Sequence, residues 1–203
     1  MKKLVSLLLS VLLVLGGTSV TAFCEEQEAF TIAGALGDDM VLQRDAEICI
    51  WGTSSKKGAE ISVTFKGKTT TGTVDENGKW KVMLPKESAD KNESELTVTL
   101  GDYTKTLTGI LVGDVYLVGG QSNAELALSS VAAEYKSALI SDMIEEQEGM
   151  IRYFTQKRDD AKNNQEAMAS PQEEPLRGNR WKKETRSTAN SFSAMGFFFA
   201  HQM

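Results

Sequence analysis

The residues best placed to do chemistry are Gly119-Gly120-Gln121-Ser122-Asn123, which close an apolar run and precede a segment able to start a helix. A serine at the end of a strand has its position set by that strand. Glycines ahead of it let a substrate come close. The N-terminus of a following helix offers free N–H groups where an oxyanion could form. A serine hydroxyl is nonetheless a poor nucleophile until an imidazole or similar base takes its proton. The local pattern leaves two readings open: Ser122 as nucleophile, or Ser122 as the N-cap of the next helix. The turn is not the Gly-x-Ser-x-Gly elbow of the α/β-hydrolase fold, so that motif lends no support. The chain has one histidine, His201. It falls in a Phe-rich helical stretch and is expected on the helix surface, not beside Ser122.

Two kinds of element must position this turn. From about residue 28 to 109 the apolar positions recur with period two, and eight segments read as strands: EAFTIAG, MVLQ, AEICIWGT, AEISVTFKG, TTTGTVD, KWKVMLP, ELTVTL and YTKTLTG. Asn77-Gly78 reads as a hairpin turn, and GTSSKKGAE as another turn. Many short strands without a helix predict a small antiparallel sandwich. The pattern then changes. ILVGDVYLVGG is apolar at nearly every position, as expected of a strand buried on both faces in a parallel sheet. Leu128, Val131, Ala132, Tyr135, Leu139 and Met143 follow helical spacing. MIRYFTQ reads as a further strand, and 157–180 as a long polar surface loop with two prolines. In SFSAMGFFFAHQM, the residues Phe192, Met195, Gly196 and Phe199 share one helical face. No Gly cap or basic closing turn follows, which predicts an α/β unit cut off partway.

Lys2 and Lys3 followed by LVSLLLSVLLVLGG and then VTA have the layout of a secretory signal peptide cleaved after Ala22. The apolar run is shorter than the roughly 20 residues needed to span a bilayer. Phe23 stands where a lipoprotein signal ahead of Cys24 would need a small residue. Without Lys2 and Lys3 the chain carries 20 basic and 28 acidic residues, a balance that argues against a nucleic-acid partner. Cys24 and Cys49 could pair after export, or both stay reduced with Cys49 buried. No Cys/His cluster exists for a structural zinc, and no cofactor is expected.

The blocks GDDMVLQRDAEICIWGTS, DENGKWKVMLP, LVGDVYLVGGQSNAEL, IRYF and FSAMGFFFA, in that order, resemble the sialate O-acetylesterase family of SGNH-type carbohydrate esterases from about residue 30 to the last. The resemblance implies an α+β two-part chain. A signal peptide (1–22) precedes an N-terminal antiparallel β-sandwich (23–109) and the first part of a flavodoxin-like three-layer α/β SGNH hydrolase domain (110–203). It implies that Ser122 is the nucleophile and contributes its N–H to an oxyanion hole, with Gly120, Gln121 and Asn123 around it. The implied protein is secreted, periplasmic or at the cell surface, and acts on an O-acetylated carbohydrate. Two departures stand out. Ala124 interposes where the family has Met before Glu, and the late Asp-x-x-His that supplies the family's base is absent, since Phe198 stands three residues before His201. The oxyanion Gly and Asn also find no counterpart. The chain is therefore expected to be nearly inactive alone. A non-catalytic carbohydrate-binding sandwich and an acetylxylan-type esterase are the alternative readings.

Other residues invite a role. Trp51 and Trp80 lie in strand patterns and are expected in the core, with a sugar-stacking platform as the alternative. VDENG has part of a calcium-loop spacing but reads as a turn. Glu145, Glu146 and Glu148 read as a solvated helix end.

Overall fold

A computed structural model describes residues 30–131, 139–155 and 180–203. The signal segment, Cys24, Ala132, Tyr135 and nearly all of the expected loop at 157–180 lie outside the described residues.

All eight segments with period-two patterning form strands: β1 (Phe30–Ile32), β2 (Val41–Gln43), β3 (Ile48–Ser54), β4 (Glu60–Phe65), β5 (Lys68–Thr73), β6 (Lys79–Leu84), β7 (Asp90–Leu100) and β8 (Tyr103–Gly113). They build two sheets, one ordered β1-β3-β6 and one ordered β2-β8-β7-β4-β5. Every pairing is antiparallel except β2 with β8, which is parallel. The alternation of β4 and β6 places Ile61, Val63 and Phe65 and then Trp80, Val82 and Leu84 in one shared core. On the outer face of the larger sheet threonines pair across strands, Thr64 with Thr69 at 2.8 Å and Thr97 with Thr106 at 3.2 Å. β-branched side chains suit such a pleated, half-exposed surface.

Two expectations are corrected here. Asn77-Gly78 is a tight turn, with Gly78 at φ 76, but it is not a hairpin, because β5 and β6 lie in different sheets. The turn carries the chain across the sandwich. Asp75 organises it by accepting from the N–H groups of Asn77 and Lys79, each at 2.8 Å, so its carboxylate is already engaged. The second correction concerns ILVGDVYLVGG. Its first four residues complete β8, with Ile110 and Val112 in the sandwich core. Residues 114–120 pair with no strand, and Leu117 is 97% exposed. The apolar composition announces a buried strand, yet among the described residues no strand pairs with this stretch.

Beyond Ser122 the expected continuous helix is broken. A single turn, α1 (Ser122–Glu125), is followed by a 3-10 turn at Leu128–Ser130 and then by α2 (Leu139–Glu146). The expected strand at 150–156 exists as β9 (Arg152–Phe154) and pairs antiparallel with β10 (Trp181–Lys183). The last helix is α3 (Ala194–Gln202), capped by Ser193 Oγ accepting from the Gly196 N–H at 3.3 Å. Its buried residues are Ala194, Gly196 and Phe197, while Met195 and Phe199 are exposed. The inward face is thus offset from the one expected, because Phe192 lies outside the helix and cannot set its phase. Among the described residues, no helix is long and apolar enough to cross a membrane.

These later elements share a second core formed by Leu128, Ile144, Tyr153, Phe192 and Phe197, among others. It is joined to the sandwich by Trp181, whose indole N–H donates to Ala35 O at 2.9 Å. Arg152 and Lys183 complete the join by converging on Glu93 Oε1 at 2.8 and 2.5 Å.

Candidate active site

The approach to Ser122 is an extended arm fixed at its base. Val115 N–H donates to Gln43 Oε1 at 2.9 Å, and Asp114 accepts from Arg44 Nε at 2.9 Å. The arm ends at Gly120, whose φ of 156 and the 3.1 Å that a Cβ there would leave to the Ala124 Cβ explain the glycine. Ser122 is the first residue of α1 and Gln121 precedes it as the N-cap, without a side-chain capping bond. Ser122 is therefore no N-cap, which removes that alternative. Gly120, Gln121, Ser122 and Asn123 are all exposed. The N–H groups at the start of α1 have no partner within the helix. Glu125 N–H donates to Gln121 O at 3.1 Å and closes the turn. With only four residues, α1 contributes these local donors and not a long helix dipole.

Both sides of the Ser122 turn are fastened to α3. After Ser122, Leu126 O accepts from Ala194 N–H at 2.8 Å, Leu128 N–H donates to Phe192 O at 2.8 Å, and Ala127 bridges Ser193. Before it, the Tyr116 ring stands edge-on to Phe199 at 4.9 Å. Val118 Cγ2 lies against Gly196, only 3.5 Å from where a Cβ would stand.

His201 is the largest departure from expectation. Its side chain is 1% exposed, not on the surface, and Nε2 lies 3.0 Å from Oε1 of Glu184, itself fully buried. The ring packs on Phe197 at 4.4 Å. Burial pushes the Glu184 carboxyl upward, and the His201 hydrogen bond opposes that rise. Glu184 Oε2 has no hydrogen-bond partner among the described residues. A carboxylate holding an imidazole is half of a serine-hydrolase relay, but here it is sealed in the second core and makes no hydrogen bond to Ser122. The chain's single histidine is committed elsewhere. Sequence reasoning missed Glu184 altogether, since it sits beyond a short strand and 17 residues from its partner.

Trp80 is in the core, as expected, 2% exposed with its indole N–H donating to Thr53 O at 3.2 Å. Trp51 is half-buried on the opposite face of β3, in register with Lys81. Cys49 is half-buried with no disulfide partner among the described residues, and burial holds its thiol above the ordinary pKa. Glu145, Glu146 and Glu148 are exposed at the end of α2, with Glu145 paired to Arg186. Among the described residues no group of three His, Cys, Asp or Glu could hold a metal.

No protein-family model matches the chain, and no curated protein matches it. Among solved structures, two assemblies of S-layer protein SbsC domains align with 16% identity: domains 4 and 5 over 42% of this chain and 44% of that one, TM-score 0.29, and domains 4–9 over 46% and 15%, TM-score 0.31. Likenesses that slight carry no argument. A third is of another order. XAC1771, a carbohydrate acetylesterase from Xanthomonas citri, aligns over 85% of this chain with 32% identity and a TM-score of 0.71, and this chain spans 37% of its length. The chain is thus related, in sequence and in fold together, to a carbohydrate acetylesterase.

Proposed function

We propose that this chain is the nucleophile-bearing part of an exported carbohydrate esterase that removes O-acetyl groups from sialic acid or a related sugar. One observation carries the reading: Ser122 is exposed at the corner between an extended arm and a helical turn, in a chain 32% identical to a carbohydrate acetylesterase. Ser122 attacks the acetyl carbonyl, and N–H groups of the 120–123 turn stabilise the oxyanion. Water then hydrolyses the acyl-enzyme and releases acetate. The chain's single histidine is buried against Glu184. The reading therefore assigns the proton on Ser122 to an Asp-x-x-His of the family kind, a motif these 203 residues lack, and the chain spans 37% of the related enzyme. Export by the N-terminal segment and division into a sandwich and an esterase part belong to the same reading, with the boundary moved from 109 to the end of β8 at Gly113.

The test is acetate release from an O-acetylated sugar by the 203-residue chain, by a form extended with an Asp-x-x-His segment, and by Ser122→Ala in each. Turnover is expected from the extended Ser122 form alone. Robust turnover by the short chain overturns the missing-base argument, and turnover by extended Ser122→Ala overturns the nucleophile. A second reading, glycan binding by the sandwich, is favoured by Trp51 on an outer face; Trp51→Ala in the whole chain would then abolish binding on a glycan array.

A further inference from the structure

The sequence of α3, AMGFFFAHQ, is apolar nearly all the way round. Three consecutive phenylalanines cover about 200° of its circumference at 100° per residue. Hydrophobicity alone therefore does not decide which of Phe197, Phe198 and Phe199 faces the core. The observed rotation places Ala194, Phe197 and His201 inward and turns Gly196 and Phe199 to the arm that leads to Ser122. A rotation by one residue would bring a side chain to the place where Val118 now meets Gly196, and would part Phe199 from Tyr116.

One polar contact on the inward face distinguishes the rotations. His201 Nε2 meets Glu184 Oε1 at 3.0 Å with both side chains buried. Glu184 is held in place by its own backbone, its N–H donating to Ile151 O at 2.9 Å and its carbonyl accepting from Gly149 N–H at 3.2 Å. The pair is an uneconomical stabiliser, because Glu184 Oε2 is buried without a partner among the described residues, and a well-packed apolar pair in such a place is often as stable or more so. What an apolar pair would not do is select one rotation. Single buried polar contacts are known to fix register between apolar helices in this way.

We infer that Glu184 and His201 are positioning residues for Ser122: their bond sets the rotation of α3, and α3 holds both sides of the Ser122 turn. The inference rests on the reading of Ser122 as nucleophile only for its functional meaning; the coupling itself is structural.

The experiment is nuclear magnetic resonance on the whole chain. It reads the cross-peaks between the Tyr116 and Phe199 rings and between the Val118 methyls and Gly196, with Phe30–Trp80 as the sandwich control. In Glu184→Leu/His201→Leu the sandwich control is expected to persist while the Tyr116–Phe199 and Val118–Gly196 peaks are lost. In His201→Gln, which keeps an N–H to give to Glu184, they are expected to remain; in His201→Leu alone they are expected to vanish. Retention of these peaks by the double variant overturns the inference. So does their equal loss in His201→Gln and His201→Leu, which would make ring packing the cause. If the double variant loses the control peak too, the two single variants decide. Acetate release plays no part, so failure of the esterase reading would leave these peaks unchanged, and failure here would leave Ser122-dependent turnover unchanged.

Discussion

Among single residues, the tightest constraint is at Gly52. A Cβ there would stand 2.0 Å from Thr31 O and 2.7 Å from the Trp80 ring. Gly52→Ala must separate β1 from β3 or displace the indole, and is expected to cost about 2–4 kcal/mol, read from the urea midpoint. Trp80→Ala empties the same place from the other side and should cost about 3–5 kcal/mol. Glu184 makes a different prediction. Its carboxyl is raised from 4.5 by burial, so the folded state favours the protonated form. The associated stability is complete below 4.5 and lost as pH rises through the folded value. Glu184→Gln removes that loss, and its stability should vary less with rising pH above 4.5 than that of the wild type. Stability profiles above pH 4.5 that run parallel for the two proteins would show that Glu184 does not titrate differently on folding.

The join between the sandwich and the second core is a matter of elements. Arg152 from β9 has a fully buried side chain whose Nε and Nη1 lack partners among the described residues, and Glu93 is its ion-pair partner at 2.8 Å. Lys183 from β10 shares that carboxylate and also reaches Asp39 at 3.2 Å. Glu93→Gln strands a buried guanidinium and should loosen the β9–β10 pair by about 3 kcal/mol, detected as faster proteolysis around it with the sandwich intact. Lys183→Met leaves Arg152 paired and should have a smaller effect. Such partners are not legible in a sequence. The period-two pattern found every strand of the sandwich because it records only which face is buried. It is silent on pairing, so it took the Asn77-Gly78 turn for a hairpin when the turn joins different sheets. The last helix shows the same limit in another form: with Phe197, Phe198 and Phe199 in a row, no pattern of apolar residues could set its phase, and the partner that does so lies on another element.

For the molecule as a whole, acid sensitivity and surface apolarity are the properties to measure. Lys66, hydrogen-bonded to Asp90 at 2.5 Å, lowers that carboxyl from 3.8 to about 2. Its contribution is present above 3.8 and is lost as pH falls through about 2. Glu93, held below its ordinary range by Lys183, acts in the same direction. Lys66→Met is therefore expected to lower stability modestly near neutrality, the pair being partly exposed, and the difference from the wild type should shrink as pH falls through about 2. The strip Val115, Tyr116, Leu117 and Val118 is exposed, and a contiguous apolar surface of this sort favours association. Leu117→Lys should reduce dye binding and self-association without changing the urea midpoint of the sandwich.

The route of β8 has a practical consequence for anyone dividing this polypeptide. The strand enters as the companion of β7, gains β2 alongside, and leaves as the very backbone that leads to Asp114 and the serine. Severing the chain after Gly109 would strip Ile110, Leu111 and Val112 from the interior they fill, whereas a piece ending at Gly113 would keep its last strand whole. The sandwich is less a detachable bead on a string than a grip continuous with the blade.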